Sequence, residues 1–170
     1  MSSFRTLGFR LIALGLLVAP LAACSAAGLS TFGNNKLKVA EVNNMGTYTA
    51  DGALLQARSH FRNNDFGHSA AFYKRVVELS PNLAEGYIGL GASYDRLRRF
   101  DLSDRVYASL FAISGGTAQY YNNVGYSQML RGNLRDAMTN FRKAQQLAPD
   151  SAVIANNMQL VAQAAATARI

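Results

Sequence analysis

The sequence predicts an all-α domain of three helical hairpins, with one further helix that covers the end of the stack. Hydrophobic residues make up 49% of the 170 residues and charged residues only 16%, and many of the apolar residues are alanine and leucine. This composition favours packed helices over sheets. From residue 51 onward similar residue types also recur every 34 positions, which indicates a stack of repeated units.

The recurring positions fall into an aromatic class and a small class. Small residues let the two helices of a hairpin approach closely, and aromatic rings fill the space toward the next repeat. Pro81 and Pro149 lie two periods apart and end second helices, because proline lacks the N–H that a helix interior needs. The aligned sets are Tyr73, Tyr107 and Phe141; Phe66, Phe100 and Leu134; Ser69, Ser103 and Ala137; and Ala57, Gly91 and Gly125.

This pattern resembles the tetratricopeptide repeat, in which W-x2-L-G-x2-Y is followed by A-x3-F and then by P. The second copy reads Tyr87-x2-Leu90-Gly91-x2-Tyr94, then Ser103-x3-Tyr107, with Gly115 where proline is usual. The third copy reads Tyr121-x2-Val124-Gly125, then Ala137-x3-Phe141, then Pro149. The resemblance covers residues 50–150 and implies a right-handed superhelix of three hairpins.

A seventh helix is predicted from about Ser151 to Ala166. Asp150 and Ser151 are good N-cap residues for it. Solenoids need a terminal unit with a polar outer face, so this helix would serve as the C-terminal cap. The predicted domain therefore spans residues 51–166.

The first 23 residues have the features of a secretory leader. Residues 1–10 carry two arginines and no acid, and Leu11–Pro20 is an apolar run too short to span a bilayer comfortably. The residues that follow, Leu-Ala-Ala-Cys, end at Cys24 and resemble the bacterial lipobox. The resemblance implies that residues 1–23 are removed and that acyl chains on Cys24 anchor the protein to a membrane. An uncleaved anchor and a plain signal peptide are the alternatives.

The residue after the cysteine indicates whether the lipoprotein stays at the inner membrane or reaches the outer membrane. Lipoproteins retained at the inner membrane often carry aspartate there, whereas this chain has Ser25. By resemblance, this favours the outer membrane of a Gram-negative cell, with the domain in the periplasm. Residues 24–50, rich in Gly, Ser, Asn and Thr, are interpreted as a flexible tether.

We find no pattern typical of catalysis, and we expect no enzyme, no cofactor, no metal and no small-molecule substrate. The chain has only two histidines: His60 at a packing position of the first repeat and His68 at the start of an exposed helix. Gly89-Leu90-Gly91 lacks the third glycine of a nucleotide loop and follows no strand. The net charge of +7 is spread along the chain rather than gathered on one face, so nucleic acid is not an expected partner.

We expect a protein partner to bind one face of the first helix of each hairpin. This face is formed by the residues at positions i, i+4, i+7 and i+8. The resemblance implies that this face lines a concave groove holding a peptide. Asn122 and Asn123 could bond a peptide backbone, since an amide both donates and accepts. The alternative is that the apolar members, Phe61 and Leu130 above all, only pack neighbouring repeats. The predicted groove residues are Leu54, Arg58, Phe61, Arg62, Ile88, Asp95, Arg96, Asn122, Asn123, Tyr126, Met129 and Asn156, with Ala92, Val153 and Leu160 on the same face.

Some groove-binding members of the family grip a partner's terminal carboxylate with a lysine–asparagine clamp. That clamp is absent here, so chaperone-tail binding of this type is not predicted. The corresponding positions hold Leu54, Arg58, Gly89, Gln119 and Asn123.

A lipobox, about three repeats and the stretches 121–127 and 130–133 together resemble the pilus-assembly lipoproteins of the Flp/Tad system (TadD) and the pilotins of type IV pili. This resemblance implies a helper that binds a secretin or pilus-assembly subunit. The main alternative is a periplasmic scaffold for cell-wall or outer-membrane assembly enzymes. A periplasmic hydrolase is a third class, and it would require activity that is lost when an acid or a histidine is changed.

The lipobox generates the first testable prediction. In cells fed a labelled fatty acid, the protein should incorporate the label and shift on a gel. The Cys24→Ser variant should remain unlabelled, because it lacks the thiol that receives the diacylglycerol. Wild-type protein without label would refute lipidation.

Overall fold

The computed structural model describes residues 38–168. Cys24, the predicted leader and the first part of the predicted tether lie outside the described residues. Within the described part the chain forms seven α-helices, as predicted, and none of them is long and apolar enough to cross a membrane. The helices are α1 (Ala50–Arg62), α2 (Phe66–Leu79), α3 (Ala84–Arg96), α4 (Phe100–Ser114), α5 (Ala118–Leu130), α6 (Leu134–Leu147) and α7 (Ala152–Thr167).

The helices pair in chain order into three hairpins. Helix α1 packs on α2, α3 on α4, and α5 on α6, while α7 covers α6 at the C-terminal end. The first helices of successive hairpins, α1, α3 and α5, also contact each other and continue to α7. The prediction of an all-α tetratricopeptide-repeat superhelix with a C-terminal capping helix is confirmed.

Small residues allow the two helices of each hairpin to lie close together. In the first repeat Ala57 and Ser69 are fully buried, and the Ser69 hydroxyl donates to the Ala57 carbonyl at 3.0 Å. In the later repeats an aromatic ring covers the glycine directly. A Cβ atom would lie 2.6 Å from the Tyr107 ring at Gly91 and 2.8 Å from the Phe141 ring at Gly125. No larger residue fits at either glycine without displacing a ring.

The turn between the two helices of each hairpin contains one residue with a left-handed backbone, and this residue holds the same position in every repeat. These residues are Asn64 (φ 58°), Arg98 (φ 57°) and Gly132 (φ 84°). Glycine adopts this backbone freely and asparagine tolerates it, whereas for arginine it is strained. The second repeat therefore folds with a residue poorly suited to its turn.

The second helices end where the sequence predicts. Helix α2 ends at Leu79, two residues before Pro81, and α6 ends at Leu147, two residues before Pro149. Helix α4 ends at Ser114 and is followed by Gly115, whose φ of 67° and ψ of −165° are accessible only to glycine. Glycine thus ends the helix of the second repeat in place of proline.

The chain before α1 differs from the predicted flexible tether. Val39, Val42, Met45 and Tyr48 pack against the core of the first two repeats. The Ala40 amide donates to the Gly67 carbonyl at 3.1 Å, and the Arg75 guanidinium donates to the Gly46 carbonyl at 3.2 Å. These apolar side chains recur every third residue, a spacing that the composition-based interpretation overlooked. Residues 38–49, the N-terminal segment, belong to the folded domain.

The N-terminal segment covers the side of α2 that faces away from α3. It lies beside Ala71, Lys74 and Glu78, which share one face of α2, while Tyr73 and Val76 on the opposite face contact α3 at Gly89 and Gly86. The segment therefore closes the N-terminal end of the stack, and α7 closes the other end.

The turn of the second repeat generates a stability prediction. Arg98→Gly should raise the free energy of unfolding by about 0.5–1 kcal/mol, because it removes the strain of a side chain at positive φ. The matched change in the next repeat, Gly132→Arg, should lower the free energy of unfolding by about 1 kcal/mol. No atom lies within 4 Å of a Cβ at Gly132, so only the backbone opposes that change. Urea denaturation measures the free energy of unfolding of both variants. Changes of the same sign would contradict the prediction.

Candidate functional site: the concave groove

Two adjoining cavities run along the first helices and end at α7. Their volumes are about 390 Å³ and about 280 Å³, and both are lined by Asn122, Asn123 and Val153. Since they share these residues, they form one groove. The remaining lining residues are Phe61, Ile88, Ala92, Arg96, Tyr107, Ala118, Gln119, Tyr126, Ala148, Ser151, Ile154 and Asn157.

Amide side chains form the middle of the groove. The Asn157 side chain donates to Asn122 Oδ1 at 2.9 Å, and Asn123 donates to the Gln119 carbonyl at 2.8 Å. Among the described residues, Asn122 Nδ2 and Asn157 Oδ1 have no hydrogen-bond partner, so this pair of amides keeps one donor and one acceptor for a guest. This arrangement matches the acceptor and donor of a peptide group.

The end of the groove near α1 is aromatic and basic. Phe61 packs edge-on against Phe66, with ring centroids 5.3 Å apart, and the Arg96 guanidinium lies 4.3 Å from the centroid of Phe66. Arg58 is also exposed but is paired with Glu85, to which its Nε donates at 2.6 Å. Among the described residues that line the two cavities, none is acidic and Arg96 alone is charged.

The expectation that Asp95 faces the groove is wrong. Its side chain is only 2% exposed and accepts hydrogen bonds from the Tyr107 hydroxyl at 2.8 Å and the Ser127 hydroxyl at 2.7 Å. Burial raises the pKa of Asp95, although these hydroxyls act in the opposite direction. Burial and the neighbouring carboxylate also raise the pKa of Tyr107. Asp95 therefore ties α3 to α4 and α5 below the groove.

Five other predicted groove residues lie outside the cavity lining, and so does Leu160 on the same predicted face. One of the five is Arg58, which is paired with Glu85. Leu54 packs against the core of the first two repeats, and Met129 packs against the core formed by α6 and α7, as the packing alternative anticipates. Arg62 is exposed and lines neither cavity. Asn156 is exposed to one side of it, because Asn157, one residue further along α7, is the residue that faces Asn122.

The predicted residues that do line the groove are Phe61, Ile88, Arg96, Asn122, Asn123 and Tyr126, with Ala92 and Val153 beside them. Sequence reasoning missed Gln119 and Asn157 as lining residues. The spacing i+4 from Val153 would have selected Asn157, whereas the spacing i+3 selected Asn156. Gly89 is buried beneath Tyr73, so it cannot form part of a clamp in the groove.

Comparison with known proteins identifies one repeat directly and the fold as a whole. Residues 118–151 match the family model described as Tetratricopeptide repeat, and this segment is the third hairpin with its following turn. No curated protein matches the sequence. The first tetratricopeptide domain of human RPAP3 has a TM-score of 0.61 at 16% identity, over 69% of this chain and 93% of that chain.

Two further solved structures are similar at equally low identity. The first such domain of Spaghetti (RPAP3), bound to the HSP90 peptide SRMEEVD, has a TM-score of 0.57 at 16% identity, over 69% of this chain and 96% of that chain. A chain of a T3SS complex from Aeromonas hydrophila has a TM-score of 0.56 at 18% identity, over 80% of this chain and 91% of that chain. Identities this low show the fold alone.

The burial of Asp95 generates a prediction of pH dependence. Because the folded state raises the pKa of Asp95, it binds this proton more tightly than the unfolded chain, and wild-type stability falls as pH rises above about 3.9, the unfolded value. The Asp95→Asn variant has no carboxyl at this position, so its stability does not fall for this reason. Relative to wild type, its free energy of unfolding should rise between pH 4 and 7 by about 1.4 kcal/mol for each unit of pKa shift.

An exposed aspartate provides the control of opposite sign. The hydrogen bond from Arg99 lowers the pKa of Asp101, so this carboxylate contributes stability that is lost as pH falls. As pH rises from about 2 to 5, through the unfolded value, Asp101→Asn should therefore lose stability relative to wild type, and above about pH 5 the two should run parallel. Urea denaturation from about pH 2 to pH 7 measures both variants. Parallel curves for wild type and Asp95→Asn would contradict the burial of a titrating carboxyl.

Proposed function

We propose that this chain, a protein with the tetratricopeptide-repeat fold, binds a peptide segment of another protein in its concave groove. The observation that carries the proposal is the row of groove residues from Phe61 to Asn157, which joins apolar side chains to amides. Apolar contacts supply affinity, and the amides fix a peptide backbone through paired hydrogen bonds. The groove presents no arrangement typical of catalysis.

The charges of the groove indicate the character of the peptide. No acidic residue among the described ones lines it, and Arg96 stands at its α1 end. We therefore expect an apolar segment that carries an acidic residue next to Arg96. The peptide bound to the Spaghetti (RPAP3) domain is also acidic. Recognition of a terminal carboxylate is not proposed, because the positions of the clamp hold other residues.

The lipobox resemblance at Cys24 supports a place in the cell envelope. With acyl chains on this cysteine, the domain would stand in the periplasm beneath the outer membrane. There, we propose, it assists a secretin or pilus-assembly subunit of the Flp/Tad type, which the resemblance of residues 121–133 supports. A scaffold for cell-wall or outer-membrane assembly enzymes is the alternative, and it uses the same groove.

A photocrosslinking experiment tests groove binding. A photoreactive phenylalanine analogue replaces Tyr126 in the groove or, as the control, Phe111, which is 48% exposed on α4 and away from the groove. In living cells the analogue at position 126 should form a specific adduct with an envelope protein, and the analogue at 111 should not. Equal adducts at both positions, or none at 126, would refute binding in the groove.

Charge reversal in the same strain tests the acidic partner. Arg96→Glu should reduce the adduct at least about fivefold, because it repels an acidic residue at that end of the groove. Arg105→Glu makes the same change at an exposed position of α4 and should leave the adduct intact. Identifying the adduct by mass spectrometry, and measuring secretin multimers in a deletion strain, separates the two roles. Unaffected multimers exclude the secretin helper but leave peptide binding standing.

A further inference from the structure

Three chemically distinctive side chains meet at the turn of the first hairpin. His60 lies in the last turn of α1, Asp65 is the N-cap of α2, and His68 lies in the first turn of α2. The Asp65 carboxylate accepts from Nδ1 of His60 at 2.9 Å and from Nδ1 of His68 at 2.8 Å. The two imidazoles thus direct the same nitrogen atom toward one carboxylate.

Neighbouring contacts hold these groups in place. The imidazole rings of His60 and His68 stack with centroids 5.0 Å apart, and His60 also stacks on the buried Phe72 at 5.4 Å. One ligand atom from each of the three residues lies within 4.8 Å of the others. All three side chains keep partial access to solvent, with exposures of 29% for His60, 42% for Asp65 and 43% for His68.

The fold itself does not require these residues. One period later the same positions hold Tyr94, Arg99 and Leu102, and two periods later Gln128, Asn133 and Asp136. These repeats form the same turn without any imidazole. Both histidines of the chain therefore stand at the one turn where a carboxylate lies between them.

We propose that His60, Asp65 and His68 form a binding site for one divalent transition-metal ion such as zinc. Two imidazole nitrogens and a carboxylate oxygen are donors that suit zinc, whereas magnesium and calcium prefer oxygen alone. In tetrahedral coordination with bonds of about 2.0–2.1 Å, the ligand atoms are about 3.3 Å apart. The present nitrogen–oxygen distances of 2.8 and 2.9 Å would open by about half an ångström, and the two imidazole nitrogens, which lie within 4.8 Å of each other, would close to the same separation.

The ion would connect the end of α1 directly to the start of α2. Three protein ligands leave one tetrahedral position for water. The metal would stabilise the hairpin on which the N-terminal segment packs, since an ion that binds only the folded state shifts the unfolding equilibrium. The sequence-based expectation of no metal site did not consider that the hairpin turn brings the two histidines to one carboxylate.

Calorimetry on the full chain, metal-stripped and without a histidine tag, tests the site. Zinc chloride should bind with one-to-one stoichiometry, and magnesium chloride should not. Asp65→Asn keeps an N-cap residue but removes the anionic ligand, and His68→Asn removes an imidazole that is partly exposed. Each should weaken zinc binding by at least about tenfold. Asp136→Asn, at the position of the third repeat equivalent to His68, should bind zinc as wild type does.

A thermal measurement provides the second readout and shows that the variants fold. Saturating zinc should raise the Tm of wild type and Asp136→Asn, and it should leave that of His68→Asn nearly unchanged. Circular dichroism without metal should give matching helical spectra for all four chains. Zinc affinity that is equal in wild type and His68→Asn, or magnesium binding as tight as zinc binding, would overturn the proposal. Neither result bears on peptide binding in the groove.

Discussion

The close approach of the two helices in each hairpin is the constraint on which the rest of the structure depends. It requires residues no larger than serine at the crossing points, and Ser69, Ser103 and Ala137 are all fully buried there. Because these side chains are short, the aromatic ring one turn later reaches the adjacent helix. Tyr73 and Tyr107 lie directly over Gly89 and Gly91. Each ring thus fills the space between two neighbouring helices.

This packing also explains how the carboxyl group of Asp95 can lie in the interior. A hydroxyl at the crossing point is small enough for the interface and still able to form a hydrogen bond. Ser69 of the first repeat and Ser93 of the second bond to each other at 3.0 Å. Asp95 accepts a hydrogen bond from Tyr107 within the second repeat and another from Ser127 of the third. A buried polar network whose members are hydrogen-bonded rigidifies a core and specifies one arrangement of it, and this network lies beneath the groove.

The sequence predicted the helices well because their ends depend on nearby residues. Pro81, Pro149 and the cap at Ser151 act within a turn of their own positions, and the period of 34 placed the core. The groove was predicted less well. Asp95 lies on the helical face that was chosen, but its partners come from α4 and α5, which no local pattern specifies. Asn156 was selected in place of Asn157 because, at the start of α7, a spacing of three or of four residues fits one face equally well.

The N-terminal segment has a consequence for how the domain can associate. A repeat stack whose terminal helix is uncovered exposes an apolar face. Another copy could pack on this face, and repetition of that contact would build a fibre. Residues 38–49 occupy that surface on α2, with Tyr48 set edge-on against Phe72 at 5.0 Å. Head-to-tail association of copies at this side of α2 would first have to displace residues 38–49. Within the described residues, the N-terminal segment thus covers the side of α2 on which a second copy would have to stack.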